Sequence, residues 1–155
     1  MSTKAYHTYG YGICVEKIND VEKDRLLSLI RMAPEFYGEY QEWEEDWKMG
    51  QGHEPDVEDI LVDFVEDCAQ FSTENLASIL QEVIKELEGI ELTACEDWNH
   101  GAYLVYEPDY PWNVKNRPKE QKLTEEGLFA IFAKYLAVIT DSELDVDYQK
   151  VEYYG

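Results

Sequence analysis

The segment from Glu35 to Glu74 combines the strongest charge of the chain with its clearest helical pattern. It holds fourteen acidic residues and one basic residue, Lys48, and so carries −13 of the formal net charge of −21. In its second half, apolar residues recur at i, i+3, i+4, i+7, i+8 and i+11, which predicts an amphipathic helix over 56–70. That stripe comprises Val57, Ile60, Leu61, Phe64, Val65 and Cys68. We expect the segment to bury this stripe and to present an anionic surface to solvent.

A second helix is predicted just before it, over 36–47. Its aromatic residues lie at spacings of four, three and four, which places them on one helix face. They are Phe36, Tyr40, Trp43 and Trp47. This face either packs in the core or forms a partly exposed binding ridge, and the sequence leaves both open.

The rest of the chain alternates between strand and helix patterns. The further predicted elements are a strand over 7–18, a helix capped by Asn19 or Asp20 and ending near Ala33, a helix from Ser72 or Thr73 to Gly89, strands over 90–95 and 102–106, a helix from Thr124 to Ile139 and a strand over 144–149. In the first strand, Gly10 and Gly12 indicate a bulge or a close approach of another backbone segment.

This order predicts a single α+β domain over 1–155. Counting the helices of the first connection as one crossover gives β-α-β-β-α-β. We therefore expect a four-stranded antiparallel sheet of the split (ferredoxin-like) type with helices on one face, and the acidic segment 35–74 as an insertion in the first crossover. Right-handed crossovers are expected to place the first and last strands at the centre of the sheet. A looser α+β sheet is the alternative.

Composition restricts the environment and the partners. The 45 % hydrophobic content argues against disorder. The absence of a signal-peptide pattern, together with three widely spaced cysteines (Cys14, Cys68 and Cys95), predicts reduced thiols in a cytoplasmic protein. No run approaches the length of a membrane span. The excess of acids opposes direct binding to nucleic acid or to anionic membranes and favours a basic protein surface as partner.

Catalytic and metal-binding patterns are weak. The segment 141–147 imitates the start of a calcium loop, but Val146 stands where the sharp turn needs glycine, and a strand explains the alternation more simply. Cys95, Asp97 and His100 surround a hairpin turn where a cysteine–histidine pair could meet, although the residues also suit an ordinary turn. We therefore predict no catalytic residue, no metal and no cofactor.

The acidic face is the best candidate for a binding site. Its carboxylates either only favour solubility or imitate a nucleic-acid backbone, which carries phosphates about every 3.4 Å along each strand. Aromatic residues among them suit anchoring contacts. The candidate partner-binding residues are Glu39, Glu42, Trp43, Glu44, Glu45, Asp46, Trp47, Asp56, Asp59, Asp63 and Asp67.

Two short segments carry a resemblance to known proteins. With Tyr9-Gly10-Tyr11-Gly12 and Tyr110-Pro111-Trp112, the chain resembles small acidic proteins carried by phages and mobile elements. That class includes inhibitors of host defence nucleases, anti-CRISPR proteins among them, some of which are DNA mimics. The resemblance implies a non-enzymatic inhibitor that occupies a nucleic-acid channel, and it assigns no residue.

Two other functions remain open. One is a small ligand-binding or enzymatic α+β domain with a site near the hairpin and aromatic loop, 97–112, which would form a pocket from Trp98, His100, Tyr103 and Trp112. The other is self-association, in which the basic residues of 115–122 meet the acidic helix of a neighbouring copy.

Overall fold

The structure is a computed structural model that describes residues 5–18, 21–65, 75–97, 101–107 and 123–154. Some predictions fall elsewhere and lie outside the described residues. They concern the cap at Ser72 or Thr73, the far end of the acidic helix with Asp67 and Cys68, the turn residues Trp98 and His100, and the aromatic and basic residues of 108–122. The cap predicted at Asn19 or Asp20 is wrong, because the first helix begins at Lys23 and has Glu22 at its N-cap.

The described chain is an α+β structure with four strands and five α-helices. In order these are β1 (Ala5–Cys14), a 3₁₀ turn (Val15–Lys17), α1 (Lys23–Met32), α2 (Pro34–Gln51), α3 (Val57–Asp59) continued by a π-helix (Ile60–Phe64), α4 (Asn75–Glu88), β2 (Thr93–Glu96), β3 (Ala102–Tyr106), α5 (Glu125–Ile139) and β4 (Asp147–Tyr154). The predicted break before Pro34 is confirmed, because α1 ends at Met32 and Pro34 opens α2.

The four strands form one sheet in the order β2-β3-β1-β4, with every neighbouring pair antiparallel. The predicted four-stranded antiparallel sheet and the central place of the first strand are confirmed. The prediction that the last strand is central is wrong, because β4 pairs with β1 alone and lies at an edge. One side of β1 is already paired with β3, so β4, which follows α5, pairs with the other side of β1.

Strand β1 approaches its neighbour closely at two glycines, as predicted. A Cβ added at Gly12 would overlap the carbonyl oxygen of Leu104, and one added at Gly10 would lie 2.5 Å from the carbonyl oxygen of Tyr106. Backbone atoms of β3 therefore fill the space that any side chain would need at these positions.

The helices and one face of the sheet share a hydrophobic core. From the sheet, Tyr11 and Ile13 of β1 and Leu104 of β3 belong to this cluster, and register pairs Ile13 with Leu104. The helices predicted to end at Gly89 and to run from Thr124 to Ile139 are confirmed, and each buries one apolar face. Their buried members are Leu76, Ile79, Leu80, Val83 and Ile84 in α4 and Leu128, Phe132, Tyr135, Leu136 and Ile139 in α5. The caps are also as predicted: Gly89 has a left-handed φ of 71°, and Thr124 Oγ1 accepts a hydrogen bond from Gly127 N.

The acidic helix predicted over 56–70 begins where expected but is not a regular α-helix. Asp56 and Asp59 form a reciprocal capping box at its start. The next residues, Ile60–Phe64, form a π-helix, whose wider turn still buries Ile60 and Phe64 but leaves Val62 exposed. One turn of apolar spacing fits both helix types, so the sequence could not distinguish them.

Three strands differ from their predicted bounds. The second strand covers Thr93–Glu96 rather than 90–95. The first strand begins at Ala5 and ends at Cys14, before the 3₁₀ turn. The last strand covers Asp147–Tyr154 rather than 144–149. Leu144 and Val146 lie in the preceding loop and pack against the core from its edge, so their alternation reflects that packing and not strand pairing. In the described residues, we find no helix with both the length and the apolar character needed to cross a membrane.

Candidate functional site

Helix α2 is attached to the core through its aromatic face. Phe36 and Tyr40 are buried, and their rings lie 5.2 and 5.3 Å from that of Phe64. Trp43 continues the row at 5.5 Å from Phe64, and the ring of Trp47 lies 5.5 Å from that of Trp43, tilted by 38°. Both tryptophans are half-buried. The aromatic face is therefore mainly a packing surface. Because Phe36 and Tyr40 are buried, they cannot belong to an exposed binding ridge.

The first turn of α2 is capped by a residue from another helix. Ala33 at the N-cap offers no side-chain acceptor. Instead, the Glu86 carboxylate of α4 accepts hydrogen bonds from Glu35 N and Phe36 N, each at 3.0 Å. A carboxylate is favourable here because it meets free N–H groups and the positive end of the helix dipole. At the other end, Gly52 has φ of 79° and donates its N–H to Lys48 O.

The opposite side of α2 carries five exposed acids: Glu35, Glu39, Glu42, Glu45 and Asp46. From the first to the last they extend about 16 Å at 1.5 Å per residue, which is a mean rise of roughly 4 Å along the helix axis from one acid to the next. That interval is close to the ~3.4 Å phosphate rise of one DNA strand. In the part of the chain that the structure describes, no lysine or arginine forms an ion pair with any of the five. We call these five residues the outer acids.

Several predicted contact residues have partners within the fold. Glu44 accepts a hydrogen bond from the Tyr40 hydroxyl at 2.9 Å and pairs with Lys48 at 3.5 Å. Asp56 and Asp59 form the capping box, and the hydrogen bond from the Asp59 backbone is the main cause that lowers the pKa of Asp56. These three carboxylates support the local structure and are less available to a partner.

The remaining predicted residues divide between the surface and its edge. Glu39, Glu42, Glu45 and Asp46 are exposed on α2, whereas Asp63 is half-buried in the π-helix. The structure therefore brings the α2 candidates together on one face. Asp67 lies outside the described residues.

Sequence reasoning missed two residues of this surface. Glu35 extends the outer acids toward the start of α2, and the spacing of four and three that links it to Glu39 and Glu42 could have shown it. Met49 is 87 % exposed one helical turn beyond Glu45, so this surface also includes an apolar side chain that charge alone does not reveal.

The acidic surface continues from α2 onto α4. Glu39 of α2 and Glu82 and Glu86 of α4 line a cavity of about 550 Å³, together with Lys85. Burial raises the pKa of Glu82. Lys85 opposes that rise, and the neighbouring Glu39 and Glu86 add to it. A basic partner group that entered this cavity would relieve the repulsion among these carboxylates.

The hairpin offers little support for nucleophilic chemistry. Burial, with smaller effects of Glu107 and Asp97, raises the pKa of the Cys95 thiol to about 11, so it is protonated at neutral pH. His100 lies outside the described residues, and Tyr103 is half-buried. Among the described residues, no group of three or more histidine, cysteine or acidic side chains could hold a metal ion.

Comparison of the chain with protein-family models, with curated proteins and with solved structures found no match.

Proposed function

We propose that this protein is a non-enzymatic, acidic interaction module that acts in the cytoplasm by occupying a basic nucleic-acid-binding channel on a partner protein. The outer acids carry the proposal. They form a row of charges at roughly the phosphate interval on a helix anchored by its other side. A phage-defence nuclease is the kind of partner that the resemblance to small acidic phage proteins implies.

The charge balance of the surface supports this reading over simple solubility. The one lysine of α2, Lys48, is engaged by Glu44 and by Glu54 at 3.3 Å, so it does not neutralise the outer acids. The helix also has both ends fixed, by Glu86 and by Gly52. A row of charges held in place loses less conformational entropy on binding than a flexible one.

For the fold, we propose the split β-α-β-β-α-β arrangement with the acidic helices inserted in the first crossover. The strand order β2-β3-β1-β4 with antiparallel neighbours supports it. In this arrangement the insertion adds the acidic surface without changing the sheet.

The test uses two variants with the same net charge. The first replaces Glu39, Glu42 and Glu45 by glutamine and Asp46 by asparagine. It spares Glu44 and Asp59, because their structural bonds would confuse a loss of binding with a loss of folding. The control neutralises four other exposed acids: Glu22, Asp24, Glu126 and Asp145.

A partner is first recovered from a cytoplasmic extract at low salt and released at high salt. Each variant then competes with a fluorescent DNA duplex for that purified partner. We expect the wild type and the control to displace the duplex, with weaker competition as salt rises, and the α2 variant to lose most of its competition. Equal competition by the two variants, or displacement that is insensitive to salt, would show that the row of outer acids is not the binding surface.

A further inference from the structure

The solvent side of α5 is apolar, which is unusual for a surface helix. Its inward residues fill the core, yet Phe129 is 51 % exposed, and Ala130, Ala133 and Ala137 are also exposed. From Gly127 to Ile139 the helix has one charged residue, Lys134. Its ammonium lies 3.3 Å from Glu88 of α4, on the side of the helix that packs against α4. An amphipathic surface helix normally shows polar residues here, so this face is suited to contact with another molecule.

A groove follows this face where α5 meets the loop to β4. It has a volume of about 790 Å³ and is bordered by Phe129, Ala133 and Ala137 on the helix and by Leu144 and Val146 on the loop. The three helix residues are spaced by four, so they line one side of the groove along two turns. The volume is sufficient for several side chains of a bound segment.

The border of the groove is strongly anionic. It is formed by Asp141, Glu143, Asp145 and Asp147, all exposed. Asp141 is paired with Arg25 at 3.0 Å, whereas no described residue forms an ion pair with Glu143 or Asp145. Among the described residues that line the groove, none is basic. The groove thus joins an apolar floor to uncompensated negative charge.

We propose that this groove binds a cationic amphipathic helix of a partner protein. Its apolar side chains would lie against Phe129, Ala133 and Val146, and its lysines or arginines would pair with Glu143 and Asp145. Alanines on α5 let a second helix approach closely, and helix-in-groove binding depends on this combination of apolar contact and flanking charge.

A second copy of the chain fits the groove less well. Each copy carries a net charge of −21, and a symmetric contact would bring two anionic borders together. Charge complementarity therefore selects a basic partner. This groove is separate from the outer acids of α2, so the inference does not depend on the proposed function.

The probe is a fluorescent synthetic helix with leucine on one face and lysine on the other. A peptide of the same pattern with glutamate in place of lysine serves as its counterpart. Binding to the full chain is followed by fluorescence anisotropy, and the site is located by backbone amide NMR shifts. We expect the lysine peptide to shift residues of 129–147 and the glutamate peptide not to bind.

Matched variants separate the groove from general attraction. Ala133→Gln fills the groove without changing charge, and Ala130→Gln places the same side chain on the same helix outside the groove lining. We expect Ala133→Gln to weaken the lysine peptide about tenfold, as loss of a central apolar contact does, and Ala130→Gln to leave it within about twofold.

A second pair tests the charges. Glu143→Gln with Asp145→Asn removes two groove carboxylates, and Glu42→Gln with Glu45→Gln removes two from α2. We expect the first pair to weaken binding by about fivefold and the second to have little effect, since exposed ion pairs contribute modestly and locally. The proposal is overturned if the two pairs have equal effects, if the NMR shifts centre on α2, or if the lysine peptide does not bind at millimolar protein. It is also overturned if sedimentation shows a dimer and the NMR shifts place its contact in the groove.

Discussion

Replacing Glu86 by alanine removes the acceptor that holds the first turn of α2. Two backbone N–H groups, at residues 35 and 36, each lose a hydrogen bond of 3.0 Å to a carboxylate. Hydrogen bonds to charged groups contribute about 1.5–3 kcal/mol each, and loss of a side-chain N-cap costs about 0.5–2 kcal/mol. Glu86 is half-buried, so solvent replaces part of the interaction. We therefore expect the free energy of unfolding to fall by about 2 kcal/mol.

The assays are urea unfolding and thermal unfolding, both followed by tryptophan fluorescence, because Trp43 and Trp47 lie on α2. A loss of about 2 kcal/mol corresponds to a decrease of roughly 4–8 °C in the melting temperature of a chain of this size. Glu86→Gln keeps one acceptor oxygen and is expected to lose about half as much. Glu45→Ala, an exposed acid on α2, is the control and should change stability by less than about 0.5 kcal/mol. If Glu86→Ala matches that control, the capping role assigned to Glu86 is wrong.

Three further predictions concern the sheet, the end of α5 and the hairpin thiol. Gly12→Ala forces a methyl group into the adjacent strand and should lower the free energy of unfolding by about 3 kcal/mol or more. Gly38→Ala, where an added Cβ meets no atom within 4 Å, should raise the free energy of unfolding by about 0.5–1 kcal/mol. If chemical denaturation gave equal changes for Gly12→Ala and Gly38→Ala, the close approach of β1 and β3 at Gly12 would be contradicted. Arg25 donates to two carbonyl groups at the end of α5 and to Asp141, so Arg25→Ala should cost about 2 kcal/mol and Asp141→Asn less than about 0.5. If Arg25→Ala and Asp141→Asn lowered the free energy of unfolding by similar amounts, the exposed ion pair and not the carbonyl contacts would account for the stability. Because the pKa of Cys95 is raised to about 11, its alkylation by iodoacetamide, measured by mass spectrometry, should be slow at pH 8 and increase about tenfold per pH unit up to that value; rapid labelling at pH 8 would show an accessible thiolate.

Much of the fold follows from local patterns in the sequence. The stripes of α4 and α5 identify buried helix faces because a 3.6-residue period places every member on one side. Thr124 and Gly89 mark helix ends through their own chemistry, without help from distant residues. The glycines of β1 also signal a close approach, although the atoms that they meet belong to β3.

Long-range pairing explains what the sequence did not show. The edge position of β4 depends on which side of β1 is free, and its start at Asp147 depends on registry with Gly12. The cap on α2 comes from Glu86, which is 51 residues beyond its nearer partner, Glu35. For the candidate site, spacing identified the acids but not which of them bond within the fold. Glu44 is a local exception, because its partners Tyr40 and Lys48 lie four residues away on the same helix and their spacing could have indicated its role.

The division of α2 into an aromatic inner side and an acidic outer side has a consequence for its evolution. Substitutions among the outer acids do not touch Phe36 or Tyr40, so they leave the packing of the helix unchanged. Selection on the charge pattern is thereby uncoupled from selection on folding. A lineage that carries this helix can change the charge pattern of its surface through mutations while the same core persists.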